Sequence, residues 1–270
     1  MSENNHNRFI GYSKTPLLWK SDNVNQLKQF EIDFKEINNI SLDSIDSIRL
    51  GKLVEQFVFI QLQQNKSISI IAQNLQIIVD KITIGEIDCL MQYLNKYIHL
   101  EIVYKFYLYD ENIDTGELDH WIGPNRKDSL VFKLNKLKNK QLPLLHHFKT
   151  KELLHKIDLN TEFVSSMVFF KAQLFVPKEL INNTFKLINN QCIVGYYIGM
   201  TEYKSLSKCV FYMPNKLDWL IEPHQKVNWI SQINFTPYVE AEINQSRSPL
   251  CWMKDEKNNL QKIFIVFWKA

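Results

Sequence analysis

The chain has no uninterrupted apolar run of the roughly eighteen residues that a membrane-spanning helix needs. Its polar opening, MSENNHNRFIGYSK, lacks the apolar stretch of an export signal. The four cysteines, Cys89, Cys192, Cys209 and Cys251, are scattered and form no Cys-x-x-Cys pair, which argues against a zinc ribbon or a disulfide framework. The histidines are dispersed except for His146-His147, which sits in a loop-like stretch. No serine or cysteine comes with a recognisable histidine partner, so a metal-independent hydrolase gets little support. There is no internal repeat, no long linker, and no low-complexity tract beyond Gln61 to Gln64. A net charge of +3 over 270 residues is too small to imply a nucleic-acid or membrane partner; only its distribution could. These absences leave a globular protein in a reduced, cytoplasmic compartment, with no membrane partner.

What is present centres on ITIGEIDCLMQYLNKYIHLEIVYKFYLY, Ile82 to Tyr109. It reads as two strands joined by the polar turn Leu94-Asn95-Lys96-Tyr97. Alternate side chains of a strand point to opposite faces. Leu100, Ile102, Tyr104, Phe106 and Leu108 therefore share one apolar face, opposite Glu101, Val103, Lys105, Tyr107 and Tyr109. In the first run Gly85, Ile87, Cys89, Met91 and Tyr93 fall together, opposite Ile84, Glu86, Asp88, Leu90 and Gln92. If the apolar faces align in a hairpin, Glu86, Asp88, Glu101 and Lys105 gather on one surface. Three carboxylates and one lysine there suit a divalent-metal site.

Residues 1–24 read as irregular, with TPLLW (Thr15 to Trp19) as an apolar anchor. A first helix is expected near Gln26 to Asn38. Ser41 to Ser44 supply N-cap candidates for a stronger helix over 44–64, in which Leu50, Leu53, Val54, Phe57, Val58 and Ile60 form an apolar arc. Glu55 lies at the border of that arc, one turn beyond Gly51. Taken alone it reads as an ordinary boundary glutamate. Leu75 to Val79 reads as a strand and Asp80-Lys81 as its turn, completing a three-stranded meander. Gly123-Pro124-Asn125 is a turn signal, and Asp128 is a cap candidate for a basic helix to about Lys140 with an apolar stripe of Leu130, Leu134 and Leu137. A short helix over 151–157 leads into strand candidates at 164–176, 191–200, 209–213, 250–253 and 263–268, with KDEKNN as a hairpin loop. The chain divides into an N-terminal arm and helix (1–40), a core (41–176), and a β-rich C-terminal extension or small domain (177–270).

Glu55 on a helix, GEID (Gly85 to Asp88) on a strand and E-I-V-Y-K (Glu101 to Lys105) on the next resemble the PD-(D/E)XK nuclease superfamily. More closely, RLGKLVEQF, TIGEIDCLM, HLEIVYKFYL and WIGPNRKDSLVFKLNKL, with LFVP and SRSPLCW further on, resemble an uncharacterised bacterial family, domain-of-unknown-function family 1853. The resemblance implies an α/β (α+β) fold with a restriction-endonuclease-like core: helix, three-stranded antiparallel meander, helix, strand. It also implies Mg2+- or Mn2+-dependent hydrolysis of nucleic-acid phosphodiesters, DNA before RNA. Carried over residue by residue, Asp88 and Glu101 bind the metal with help from Glu55 and Glu86, and Lys105 activates water. From their charge, Arg126, Lys127 and Lys133 hold the phosphate backbone. One departure stands out. The superfamily's acid precedes its lysine by two residues, where this chain has Val103; Glu101 lies about 6.6 Å further along the strand. That departure favours the competing reading, a nuclease-fold protein without turnover that binds nucleic acid or serves as a scaffold. The plain alternative for the acids and lysine is cross-strand ion pairing on a solvated sheet face, contributing under about 1 kcal/mol per pair.

Overall fold

The computed structural model describes residues 2–20, 23–34 and 49–268. Helix α1 (Ser2–Lys14) and helix α2 (Leu50–Gln64) precede an antiparallel meander of β1 (Ile68–Val79), β2 (Ile82–Tyr93) and β3 (Lys96–Tyr109). The short strand β4 (Trp121–Ile122) pairs with the end of β3. A helical crossover follows: α3 (Leu130–Lys136), a π turn over Leu137–Gln141, a 3-10 turn over Leu142–His146, and α4 (Phe148–His155). It delivers β5 (Val164–Pro177) parallel to β3. Beyond it come β6 (Ile193–Gly199), α5 (Met200–Ser205), β7 (Val210–Tyr212), β8 (Ile230–Ser231), α6 (Gln232–Ile243), β9 (Leu250–Lys254) and β10 (Leu260–Val266). All the strands belong to one mixed, mostly antiparallel sheet, ordered β1-β2-β3-β5-β6-β10-β9-β7-β8 with β4 beside β3. The second-half strands thus extend the sheet begun by the meander.

The hairpins form where two consecutive residues accept positive φ, the requirement of the tight turn that matches strand twist. Asp80 and Lys81 (φ 47° and 67°) join β1 to β2, and Leu94 and Asn95 (φ 46° and 63°) join β2 to β3. The second turn is therefore shorter than its sequence suggests, since Lys96 already pairs with Tyr93. Strand alternation sorts the faces as expected. Cys89, Met91, Leu100, Ile102, Tyr104, Phe106 and Leu108 pack in one cluster with Leu53, Val54 and Phe57 of α2. Val103 and Tyr107 lie on the other face, under Leu130, Leu134 and Leu137 of the crossover. The sheet around β3 is covered on both faces, not solvated on one.

Four expectations need correction. Residues 2–14 are helical rather than irregular, because Phe9 and Tyr12 find Phe57 of α2, with ring centroids 5.3 and 5.5 Å away. The helix expected from Gln26 is absent over 26–34, and 35–38 lie outside the described residues. The cause is an open strand edge. β6 pairs with β5 only from Leu174 onward, leaving backbone groups of residues 168–171 to be met by the N-terminal segment. Phe30 N–H donates to Val168 O (2.8 Å), and Leu18 N–H, within the TPLLW anchor, donates to Phe170 O (2.8 Å). Leu18 and Trp19 are buried there. The cap of α3 is Ser129, whose Oγ accepts Phe132 N–H (3.2 Å), and not Asp128. α2 begins at Leu50, with Arg49 extended and offering no side-chain cap; the candidate cap at 41–44 lies outside the described residues. Among the described residues no helix is long and apolar enough to cross a membrane.

Leu94 is 62% exposed and held at φ 46°, a conformation costing a β-carbon-bearing residue about 1 kcal/mol or more. Leu94→Asn should therefore raise the melting temperature by about 2–4 °C. Thermal unfolding followed by circular dichroism measures this; an unchanged or lower midpoint would show that the turn carries no such strain.

Candidate active site

The meander forks at Asp88. The β2–β3 ladder runs from Tyr93↔Lys96 to Cys89↔Leu100 and ends there, although both strands continue. Beyond that point β2 stays with β1, and β3 stays with β5. Register continues Asp88 opposite Glu101. Ile102 N–H, which a regular ladder would hand to the backbone of β2, instead donates to Asp88 Oδ2 (2.8 Å). A buried N–H must find an acceptor, so the carboxylate itself closes the end of the ladder.

Glu101 is fully buried beside it. Its Oε1 lies 3.0 Å from Nε2 of His99, two residues earlier on the same face of β3. Its Oε2 accepts from Gln141 Nε2 (2.5 Å). The Gln141 oxygen in turn accepts from Lys133 Nζ (2.7 Å). Lys133 projects from α3 and Gln141 from the π turn that follows, a kind of irregularity frequent at functional sites. Leu144 of this crossover packs onto Gly85: a β-carbon there would stand 2.7 Å from Leu144 Cδ2, and the leucine side chain would have to turn.

The other sequence-expected residues lie around this pair, most of them in ion pairs of their own. Lys52 bridges Glu55 (2.6 Å) and Glu86 (2.9 Å) in an ion triad, and the Glu55 charge still acts on Asp88 and Glu101. Lys105 pairs with Asp128 (2.6 Å), four residues along β3 from Glu101 and half exposed. Arg126 is bound to Asp110 (2.7 Å) and lies over the Trp268 ring, while Lys127 is exposed. The ammonium linked to Glu101 is thus that of Lys133, read from sequence as a backbone-binding residue. His99 and Gln141 were missed altogether. Strand alternation places His99 beside Glu101, but nothing local in the sequence announces a π turn that aims Gln141 inward.

Burial, then the Glu101 charge, push Asp88 up to about 7 against the pull of the Ile102 N–H. Burial pushes Lys133 down to about 8, with Lys136 and Lys105 adding to the effect and Glu101 and Asp88 opposing it. Burial also raises Glu55, against its Lys52 partner. No three His, Cys, Asp or Glu side chains converge into a ready-made ion cage among the described residues. A hydrated magnesium ion, however, is commonly held by only one or two carboxylates, with water and substrate oxygens completing its shell. Oxygen donors such as those of Asp88 and Glu101 suit a hard cation of that kind.

Because Asp88 holds its proton more tightly folded than unfolded, its effect on stability runs opposite to that of a salt-bridged acid. The contribution is complete below about pH 4 and is lost as pH rises through about 7. Asp88→Asn should therefore match wild type at pH 4 and exceed it at pH 8 by up to about 4 kcal/mol. Denaturant unfolding across that range tests this, and a difference independent of pH would remove the buried-acid explanation.

The family model described as "Domain of unknown function (DUF1853)" matches residues 8–266. Neither the curated proteins nor the solved structures include a match to this chain. With the match running from α1 to the last residue of β10, the chain belongs to the DUF1853 family.

Proposed function

We propose that the protein is a magnesium- or manganese-dependent nuclease that hydrolyses phosphodiester bonds of nucleic acid, DNA before RNA. The observation that carries this reading is the pairing of Asp88 and Glu101 at the fork, with Lys133 joined to them through Gln141. Two acids buried side by side are costly to keep, and such pairs concentrate where a function uses them. The surrounding order supports it as well. A helix, a three-stranded antiparallel meander, a second helix and a further strand are what the likeness to PD-(D/E)XK nucleases implies, and α2, β1 to β3, α3 and β5 follow one another in that order. A bound magnesium ion would neutralise phosphoryl charge and make a water nucleophilic. In this reading Asp88 and Glu101 hold it. Lys133 stabilises negative charge on the phosphate, while Lys105 and Lys127 steer the backbone.

A second reading, a nucleic-acid-binding or scaffold protein without turnover, is favoured by one observation. Both Glu101 oxygens already accept hydrogen bonds and the side chain is fully buried. Calorimetric titration with magnesium and manganese separates the two. Under the nuclease reading wild type binds the ion and Asp88→Ala does not; binding by neither leaves the scaffold. Cleavage assays then rank the lysines. Lys133→Ala should lower the rate by about 10²–10³-fold, the usual worth of one donor aimed at developing negative charge. Lys105→Ala should cost under about tenfold, one exposed ion pair being worth at most about 1 kcal/mol. The reverse ranking would return the role to Lys105.

A further inference from the structure

The helical crossover from α3 to α4 has an inner and an outer side. Leu130, Leu134 and Leu137 pack over Val103 and Tyr107 of β3, and Leu145 and Leu154 pack with Leu90 of β2. By strand alternation that is the sheet face of Asp88 and Glu101. The outer side is strongly basic. Over residues 130–157 seven lysines are set against a single acid, Glu152. Lys149 and Lys156 lie 2.8 and 3.9 Å from that acid, and Lys133 turns inward to Gln141. Lys136, Lys140 and Lys151 are exposed, with no carboxylate in ion-pair reach among the described residues.

A second observation concerns phenylalanine. Phe132, Phe148 and Phe163 are 65%, 63% and 74% exposed, and they are the exposed phenylalanines among the described residues. All three lie in the crossover or in the 3-10 turn (Thr161–Phe163) that leads from it into β5. α3 and α4 repeat one arrangement: Phe132 is followed a turn later by Lys136, and Phe148 by Lys151. His147 lies beside the Phe148 ring, centroids 4.5 Å apart, and widens that aromatic surface. A ring left in water beside an unpaired ammonium contributes little to the fold, yet the two together are what holds a nucleic-acid strand. In a duplex the base faces are stacked on one another, so a protruding ring finds none. A single strand offers its base faces for stacking and its phosphates to lysines.

We infer that the outer side of the crossover binds single-stranded nucleic acid, with bases stacking on Phe132 and Phe148 and phosphates pairing with Lys136 and Lys151. The inference rests on the nucleic-acid reading above and narrows its substrate to an unpaired strand. α3 connects this surface to the acid pair, because Lys133, linked through Gln141 to Glu101, is the chain neighbour of Phe132.

Fluorescence anisotropy of a short labelled oligothymidylate and of a duplex of equal length tests it, with a metal chelator present so that nothing is cleaved. Wild type should bind the single strand about tenfold or more tighter than the duplex. Phe132→Ala and Phe148→Ala should each weaken single-strand binding about tenfold, the worth of one stacked base, and leave duplex binding unchanged. Lys136→Gln and Lys151→Gln should weaken both ligands and flatten the salt dependence. All four side chains are exposed, and thermal melts check that the variants fold. Equal affinity for strand and duplex, binding indifferent to both phenylalanines, or no binding of either ligand would each overturn the proposal. So would tighter binding to phosphatidylserine vesicles than to the oligonucleotide, which would make this surface a membrane contact. Asp88→Asn keeps the two readings apart: it should abolish cleavage while leaving single-strand affinity unchanged. Undiminished cleavage in that variant sinks the nuclease reading, and single-strand binding that persists there still supports the surface.

Discussion

One hydrogen bond sets the geometry from which the site follows. Ile102 N–H is buried, needs an acceptor, and finds the Asp88 carboxylate where β2 and β3 part. Had the ladder continued, the backbone of β2 would have taken that N–H and the carboxylate would have faced the packed crossover with no donor. Because the strands diverge, β2 remains bound to β1 and β3 to β5, and Asp88 and Glu101 end up opposite each other at the vertex. The crossover then closes over them, bringing Lys133 and Gln141 from one side. The Lys52 triad stands at the other.

Buried charge by itself does not mark a site in this molecule. Lys171 and Lys262 are at least as deeply buried as Lys133, and burial pushes both ammonium groups down to about 8. Their surroundings account for them. Lys171 donates to Tyr12 O and Ser13 O at the end of α1 (3.2 Å each), and Lys262 to Gln173 Oε1 (2.9 Å) and Trp219 O (3.0 Å). Each ties a strand to a neighbouring element. The fork differs because burial, together with the neighbouring Glu101 charge, pushes the Asp88 carboxyl up to about 7.

Much of the core was legible. The two-residue period of 82–109 sorts its faces correctly, and the leucine stripe of 130–137 marks the covering helix. The hairpin loop after Lys254 also reads correctly: the Asp255 carboxylate accepts N–H from Lys257 and Asn259 at 2.8 Å. Alternation and turn chemistry are local, so a local reading recovers them. The segment from Gln26 misleads for the opposite reason. Its helical spacing loses to the unpaired edge of β5, and that edge exists only because β6 joins late.

The sequence by itself determined that Glu86, Asp88, Glu101 and Lys105 share a face, because strand pleating leaves no other choice. It also determined that a basic helix follows, and that the chain carries the DUF1853 pattern from α1 to β10. Which of those charges meet was decided only by the tertiary structure. Position along a diverging pair of strands separates Lys105 from the acids and gives it to Asp128, while a π turn reaches back to link Lys133 to Glu101. Facing is a property of one strand's period, whereas proximity depends on where strands part and what packs into the gap.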